Sequence, residues 1–423
     1  MITKAPKGVM EVLPQDSYRW HSIEDTMREV CRLYGFREIR VPVFEHTELF
    51  LRGVGATTDI VQKEMYTFED KGGRSLTLKP EGTAGVARTF VERGLTNLPM
   101  PVKMYYLYSP MFRYEQPQAG RLREHHQFGV EVFGSAAPTI DAEVILLALS
   151  VIEKLGIHGL EVHLNSIGCP CCRPAYMDKL REYFSAFKNI LCETCKGRLE
   201  RNPLRIFDCK GKACQQVVTE APNVMDFLCE DCRTHFSALC GLLDHLGVKY
   251  EVDPLLVRGL DYYTRTVFEI IAPAIGAKSA VCAGGRYDKL IQEISGADIP
   301  GIGFGMGMER LLLALQSYGD KSIAEPPLAD VYVAPLGAVC REVGFALVRN
   351  LREAGISTET DHMERSLRAQ MKYADKIGCR FTAVIGENEL MKGVTKVRNM
   401  ADGTENEVEI TNAVAWIKAQ LKV

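Results

Sequence analysis

Four glycines at alternate positions, 301, 303, 305 and 307, punctuate the run IPGIGFGMGMERLLLALQ. Alternate residues of a strand point to one face. The pattern therefore predicts a strand with one bare face, free to lie flat against a ligand or a neighbouring strand. The residues that follow predict a helix with Met308, Leu311, Leu312 and Leu315 as its buried stripe. Arg310 falls in the first turn of that helix, where a cation opposes the helix dipole. A bound polyphosphate gives that placement a reason; a surface arginine on a plain strand–helix joint is the alternative. No G-x-G-x-x-G or GK[ST] accompanies these glycines, so they form neither a dinucleotide nor a Walker fingerprint.

A chain of 423 residues is too long for one ordinary core, and two or three domains are expected. Hydrophobic residues at 46% and charged residues at 25% are globular proportions. A net charge of −3 argues against nucleic-acid binding by bulk charge and leaves a local basic face open. No apolar run approaches the ~20 residues of a membrane span. The start, MITKAPKGVMEVLPQDSYRW, has no apolar segment of a secretory signal, so the cytoplasm is the expected address.

Helical spacing of Trp20, Ile23, Met27, Val30 and Tyr34 predicts a first helix over Pro14 to Tyr34, stopped by Gly35. Short β-type runs follow: REIRVPVFEH, RSLTLKPE, KMYYLYSPMFRY and HQFGVEVFG. A helix pattern, IDAEVILLALSVIEKLG, follows the last of them. They lack regular βαβ alternation, and KMYYLYSPMFRY with HQFGVEVFG is spaced as a long-looped antiparallel hairpin. The expected fold is α+β, a mainly antiparallel sheet flanked by helices. From Cys169 to about Gly247 charged helical segments carry cysteine pairs, after which β-type sequence resumes. That places a helical insertion, 169–247, inside a first domain of residues 1–325. A polar, proline-bearing run at 317–328 predicts a linker. Beyond it, residues 326–423 alternate strand and helix patterns, as in a small α/β domain.

Five stretches carry chemistry. In FRYEQPQAGRLREHHQFGVE, alternation puts Arg113 and Glu115 on one face of the first strand, and Gln127, Gly129 and Glu131 on one face of the second. Forked arginine donors suit phosphate, and a neighbouring carboxylate suits an adenine amino group. A solvated hairpin with salt bridges is the alternative. LVRGLDYYTRTVFE gathers Arg258, Asp261, Tyr262, Tyr263 and Arg265, the makings of a ring-walled pocket with polar tips or of an ordinary strand. AGGRYDKL sets Tyr287 behind two glycines that permit close backbone approach, which a tight turn explains equally. LTLKPEGTAGVAR puts Glu81 and Thr83 at a strand-to-helix corner, where Glu81 could pair with an ammonium group and Thr83 could cap the helix. The glycine strand completes the set.

Of 14 cysteines, ten lie between Cys169 and Cys240. Cys169/Cys172, Cys192/Cys195, Cys209/Cys214 and Cys229/Cys232 have the spacing of zinc thiolate chelation, four thiolates to a structural site. Which pairs share a site is open, as is the alternative of reduced cysteines packed as small hydrophobes. Cys171, Cys240 and the scattered Cys31, Cys282, Cys340 and Cys379 are expected to be packing residues.

In this order the stretches resemble a known family. LVRGLDYYTRTVFE and AGGRYD resemble the two signature peptides of histidyl-tRNA synthetases. FRYEQPQAGRLREHHQFGVE and GIGFGMGMERLLL resemble motifs two and three of class II aminoacyl-tRNA synthetases, and LTLKPEGTAG and KGVMEVLP also look like this family. The resemblance spans nearly the whole chain. It implies a class II catalytic domain and a C-terminal anticodon-binding domain. It implies activation of histidine by ATP with Mg2+, transfer to histidine tRNA, and a homodimer whose interface is built by a first motif near VPVFEHTELF. By resemblance, Arg113 holds the α-phosphate, Glu115 meets the adenine amino group, and Arg121 and Arg310 clamp the outer phosphates. Glu81, Thr83, Gln127, Glu131, Tyr262, Tyr263 and Tyr287 line the histidine pocket, with Glu81 and Glu131 on the ammonium and Tyr263 on the imidazole. Arg258 lies between substrate carboxylate and α-phosphate. Two positions depart from the pattern. Lys79 stands where arginine is frequent before PEGT. His125 stands where an aromatic carbocycle often lies beneath adenine, and imidazole also stacks. The regulatory subunit of ATP phosphoribosyltransferase senses histidine on the same fold; the intact Arg113, Arg258 and Arg310 set favours the enzyme.

Overall fold

The computed structural model describes residues 3–55, 58–118, 120–273, 280–318 and 323–422. They fall into two compact units, Met1–Ile323 and Ala324–Val423. The linker expected at 317–328 contains that boundary, and its residues 319–322 lie outside the described residues.

The first unit is built on an eight-stranded sheet. Its order is Arg37–Glu38, Val102–Phe112, Glu124–Phe133, Gly301–Gly307, Ala280–Arg286, Thr264–Ile271, Glu161–Ser166 and Glu251–Val252. Only the two outermost pairings are parallel; the five between them are antiparallel. One face is covered by helices Ser17–Leu33 and Pro138–Lys154. The first buries Trp20, Ile23, Met27 and Val30, the stripe that its spacing predicts. It begins at Ser17 because Pro14–Asp16 form a turn that the Ser17 hydroxyl closes on the Pro14 carbonyl at 3.0 Å. Against the other face, helix Thr83–Glu92 brings Val86 and Phe90 down on Phe133, Tyr106 and Tyr287. Phe90 and Phe133 stack with centroids 4.6 Å apart. Losing a buried ring of this kind costs about 3–5 kcal/mol.

The insertion leaves the sheet at the end of Glu161–Ser166 and returns at Glu251–Val252, its parallel neighbour, before Thr264–Ile271 pairs on the other side. It has its own core, in which Tyr176, Leu180, Phe184 and Ile206 are buried. Helix Glu230–His245 starts in that core with Cys232 and ends in the main one with Phe236, Leu239 and Leu243. His235 Nε2 lies 2.8 Å from the buried Asp141 carboxylate. The change of core thus falls within one helix, short of residue 247.

Three local expectations are corrected. The RGLDYY stretch is turn rather than strand, and β-structure begins only at Thr264. Gly284 and Gly285 lie in a central strand rather than a turn, where a Cβ would come within 2.3 Å of the Gly303 carbonyl and 2.5 Å of the Thr266 carbonyl. Leu312 is only partly buried, and Ala314 joins Met308, Leu311 and Leu315 in the stripe.

The second unit holds a five-stranded sheet ordered Thr358–Thr360, Val331–Pro335, Phe381–Ile385, Val394–Asn399 and Glu405–Glu409. The first two pairings are parallel and the last two antiparallel. Helices Ala338–Glu353, Leu367–Lys376 and Ala413–Leu421 complete it.

Candidate active site

The bare face of the glycine strand is filled by the protein itself. Gly303 pairs across with Glu131, and Gly307 with Gln127. A Cβ at Gly303 would stand 2.2 Å from Glu131 Oε2 and from the Val130 carbonyl; at Gly305 it would stand 1.6 Å from Gln127 Nε2; at Gly301, 2.4 Å from the Tyr287 ring. The glycines therefore make room for side chains that the neighbouring strands send over them.

Those side chains form a buried polar cluster, the candidate amino-acid pocket. Glu131 is fully buried. Its Oε1 accepts from the Thr83 hydroxyl at 2.7 Å, and its Oε2 accepts from the Tyr287 hydroxyl. Burial pushes its pKa up to about 8, against those two hydrogen bonds, and Glu81 adds to the rise. Glu81 is also buried, and burial raises its pKa. Its two oxygens accept the N–H groups of Thr83 at 2.8 Å and Ala84 at 2.9 Å, and the Tyr262 hydroxyl donates to it at 3.3 Å. Glu81 thus caps helix Thr83–Glu92, a task expected of Thr83, which instead turns its hydroxyl to Glu131. The rings of Tyr262, Tyr263 and Tyr287 pack together at 4.8 to 6.5 Å. Burial holds Tyr263 up at about 12 and raises the others further, so all three stay neutral. Tyr106 completes the wall. Its ring lies 2.4 Å and 2.2 Å from where a Cβ on Gly82 or Gly129 would stand.

Beside this pocket opens a cleft of about 470 Å³. Arg113, Glu115, Arg121, His125, Gln127, Arg258, Glu269 and Arg310 line it. The strand Val102–Phe112 ends one residue before Arg113, so Arg113 and Glu115 sit past it rather than alternating on it. Arg113 is held by its N–H on the Arg123 carbonyl at 2.8 Å and by its Nε on the Pro80 carbonyl at 2.7 Å. Glu115 receives Arg121 Nε at 2.8 Å, and Arg113 at 3.9 Å. Arg258 pairs with Glu269. Arg310 is no surface arginine: its Nη1 donates to the Ala280 carbonyl at 2.7 Å, and burial, then Arg121, lowers its pKa. His125 is kept neutral, its pKa pushed down to about 3 by burial, then by Arg113, His126, Arg310 and Arg121. Lys79 is buried behind the site with its Nζ 2.5 Å from the Ser109 hydroxyl, and burial brings its pKa down to about 8. The Gly8 carbonyl accepts the Arg123 N–H at 2.7 Å, which ties KGVMEVLP to the strip. At its φ of +91°, only glycine sits there easily.

All thirteen predicted pocket and cleft residues converge on these two adjoining spaces. Glu269, Tyr106, Asp208 and Lys210 join them unpredicted, the last two from the insertion. Glu269 had a signal: it is the one charge in the apolar strand TVFEII. Tyr106 had none, because its neighbours in MYYLY look alike.

The eight paired cysteines gather into two groups, Cys169, Cys172, Cys229, Cys232 and Cys192, Cys195, Cys209, Cys214, with all sulfurs of a group within 4.8 Å of one another. Cys31, Cys282, Cys340 and Cys379 are buried as expected, Cys240 partly so, but Cys171 is exposed and packs nothing.

Residues 8–169 and 209–311 match the family model described as Histidyl-tRNA synthetase, and residues 330–420 match that of an Anticodon binding domain. A histidine–tRNA ligase from Caldanaerobacter subterraneus subsp. tengcongensis is 53% identical over 418 residues, covering 99% of this chain and 100% of its own. One from Caldicellulosiruptor bescii is 53% identical over 422 residues and covers both chains in full. The crystal structure of apo S. aureus histidyl-tRNA synthetase superposes with a TM-score of 0.84 at 36% identity, covering 99% of this chain and 100% of that one.

Proposed function

The chain belongs to the histidyl-tRNA synthetase family and ligates histidine to tRNA in two ATP-dependent steps, and from that premise we propose how its residues divide the work. Histidine enters the buried pocket. Its ammonium pairs with Glu131 and Glu81, taking the place of the proton on Glu131, and its imidazole meets the hydroxyl of Tyr263. Thr83, Gln127, Tyr262 and Tyr287 fix its orientation. Apolar amino acids would leave these buried groups unpaired and are rejected. ATP lies in the cleft with adenine against His125 and its amino group on Glu115. Arg113 takes the α-phosphate, and Arg121 and Arg310 take the outer phosphates. Arg258 exchanges Glu269 for the histidine carboxylate and the α-phosphate, and neutralises the charge that builds there as the carboxylate attacks phosphorus in line. Pyrophosphate leaves, and the terminal ribose hydroxyl of tRNA then attacks the adenylate carbonyl. Positioning and electrostatics suffice for both steps.

Magnesium, which class II synthetase reactions use with ATP, supplies charge neutralisation on the outer phosphates. Glu269 lines the cleft and would offer the carboxylate oxygen that magnesium takes. Structural zinc in the insertion is part of the same reading, supported by the two cysteine groups.

Residues 1–325 form the class II catalytic domain and 326–423 the anticodon-binding domain. The chain works as a homodimer. Supporting this, strands Phe44–His46, Ser75–Leu78 and Tyr66–Glu69 form a small sheet with Phe44, Tyr66, Phe68, Leu76 and Leu78 on one face. Phe44 and Phe68 are 48% and 44% exposed there, an apolar sheet face that a second copy would cover. Among the described residues no helix is long and apolar enough to cross a membrane, and the cytoplasm is the address this reading assigns.

The observation that carries the proposal is the pair of buried acids, Glu81 and Glu131, ringed by tyrosines beside a cleft with four arginines. ATP–pyrophosphate exchange with each of the twenty amino acids tests it. Exchange is expected with histidine alone; histidine binding without exchange would overturn the assignment of the arginines.

A further inference from the structure

We propose that each cysteine group is a closed tetrathiolate zinc site, and that the second one holds an arm of the insertion against the active site and so sets the position of Arg258. This rests on the structural-zinc reading above and adds the pairing of ligands and a task for the second ion.

The sulfur geometry is that of a metal cage. A tetrahedron with metal–sulfur bonds of about 2.3 Å has edges of about 3.8 Å. Sulfur pairs Cys169–Cys172, Cys169–Cys229 and Cys172–Cys232 lie at 3.8, 3.7 and 3.9 Å, and Cys192–Cys209 at 3.9 Å. These distances are far beyond a disulfide bond. The backbone N–H groups of Cys169 and Cys192 point at Sγ of Cys172 and Cys214, at 3.2 and 3.3 Å, as donors that stabilise thiolate ligands. Cys192 is exposed, which packing as a small hydrophobe does not explain. Four soft ligands leave no open position, so the role is structural.

The second cage closes a loop. Cys192 and Cys195 precede residues 196–208, and Cys209 and Cys214 follow them. That loop holds the rest of the nine-residue helix Glu193–Arg201, which starts in the cage, and a single 3-10 turn, Pro203–Ile206, too little secondary structure to hold shape alone. Yet this loop makes the seam with the catalytic core. Arg205 Nη1 donates to the Arg258 carbonyl at 2.5 Å, and its Nη2 to Asp261 Oδ1 at 2.6 Å. Asn202 reaches the same Asp261 oxygen at 3.0 Å, and Arg198 reaches Asp59 at 2.7 Å. The backbone on either side of the RGLD turn is therefore braced by residues that the second cage confines together with the insertion's own core, where Leu199 and Ile206 are buried. Arg205 is a positioning residue: it touches the peptide carbonyl of Arg258, not the substrates.

The test uses full-length protein purified without chelator. Elemental analysis is expected to give two zinc ions per chain, one per cysteine group, and cobalt substitution a sulfur-to-cobalt charge-transfer band. Cys192→Ser/Cys195→Ser should keep one zinc and lower kcat of histidine-dependent exchange about tenfold, with KM for histidine little changed, since misplacement of about 1 Å suffices for such a loss. Arg205→Ala should keep both ions and lower kcat similarly, and adding it to the double cysteine variant should lower kcat no further. Arg205→Lys, which retains a donor for the Arg258 carbonyl, should restore part of the loss. Absence of zinc, or iron in its place, overturns the metal assignment while histidine activation stands. Loss of one zinc with exchange unchanged overturns the positioning role alone. Unchanged kcat in zinc-replete Arg205→Ala does the same even where the cysteine variant fails to fold.

Discussion

The histidine pocket and the ATP cleft share a wall, yet their charges are handled in opposite ways. In the pocket, Glu81 and Glu131 are held by neutral donors, Thr83, Tyr262 and Tyr287, and burial keeps Glu131 protonated up to about pH 8. In the cleft, carboxylates and guanidinium groups already pair, Glu115 with Arg121 and Glu269 with Arg258. One side lacks a cation that its substrate brings; the other carries stand-in anions that its substrate displaces. On the proposed assignment, histidine recognition depends on a buried polar cluster built on strands, and nucleotide binding on ion pairs that exchange partners. pH is the lever on the first and salt the lever on the second.

The largest effect is expected from Arg258→Ala, which removes a charge acting on the transition state. Exchange kcat should fall about 10²–10³-fold with a smaller change in KM. Next is Gly303→Ala, aimed at the buried cluster. Its Cβ would meet the Val130 carbonyl and the Glu131 carboxylate at 2.2 Å. A loss of about 1–3 kcal/mol should appear in Tm, and a rise in histidine KM of roughly tenfold or more in kinetics. If KM for ATP rose instead, the two sites would not be separable in this way.

The pH effect follows in size. Because Glu131 holds its proton more tightly folded than unfolded, the native state binds more protons, and stability of the unliganded protein falls as pH climbs from the ordinary carboxylate range to about 8. Histidine affinity moves the other way, rising by up to about tenfold per pH unit until near pH 8. Calorimetry in buffers of different ionisation heat should record proton release on binding. A flat profile would remove the contrast. Smallest is Arg121→Ala at the rim of the cleft, where the side chain is 44% exposed. ATP KM should rise only a few-fold, and less at high salt.

Much of this was legible in the sequence where a residue type has one plausible use. Glycine at every second position of a strand demands something close by, and RGLDYY with GGRYD carried the resemblance that implied the substrate. Illegible were contacts set by distance in the fold. Nothing in SIGC or NPLRIF says that Arg205 would meet Arg258, because the meeting depends on where a loop of the insertion comes to rest. The C-terminal hairpin was overlooked despite a signal. Asp402-Gly403 joins strands Val394–Asn399 and Glu405–Glu409, and Asp-Gly between alternating strands is a hairpin mark. Arg113 shows the opposite error: a strand pattern continued one step too far, because alternation on paper does not show where a partner's hydrogen bonds stop.

The position of Gly301–Gly307 has a consequence for biosynthesis. It is the last strand of its unit to leave the ribosome, and it stands in the middle of the sheet, between Glu124–Phe133 and Ala280–Arg286. The growing chain therefore carries two half-sheets with open inner edges, a state exposed to mispairing with other nascent chains. Joining them and building the amino-acid pocket are one event, since the glycines that admit Glu131, Gln127 and Tyr287 are the joint. A ligand that binds only the joined form stabilises it by mass action.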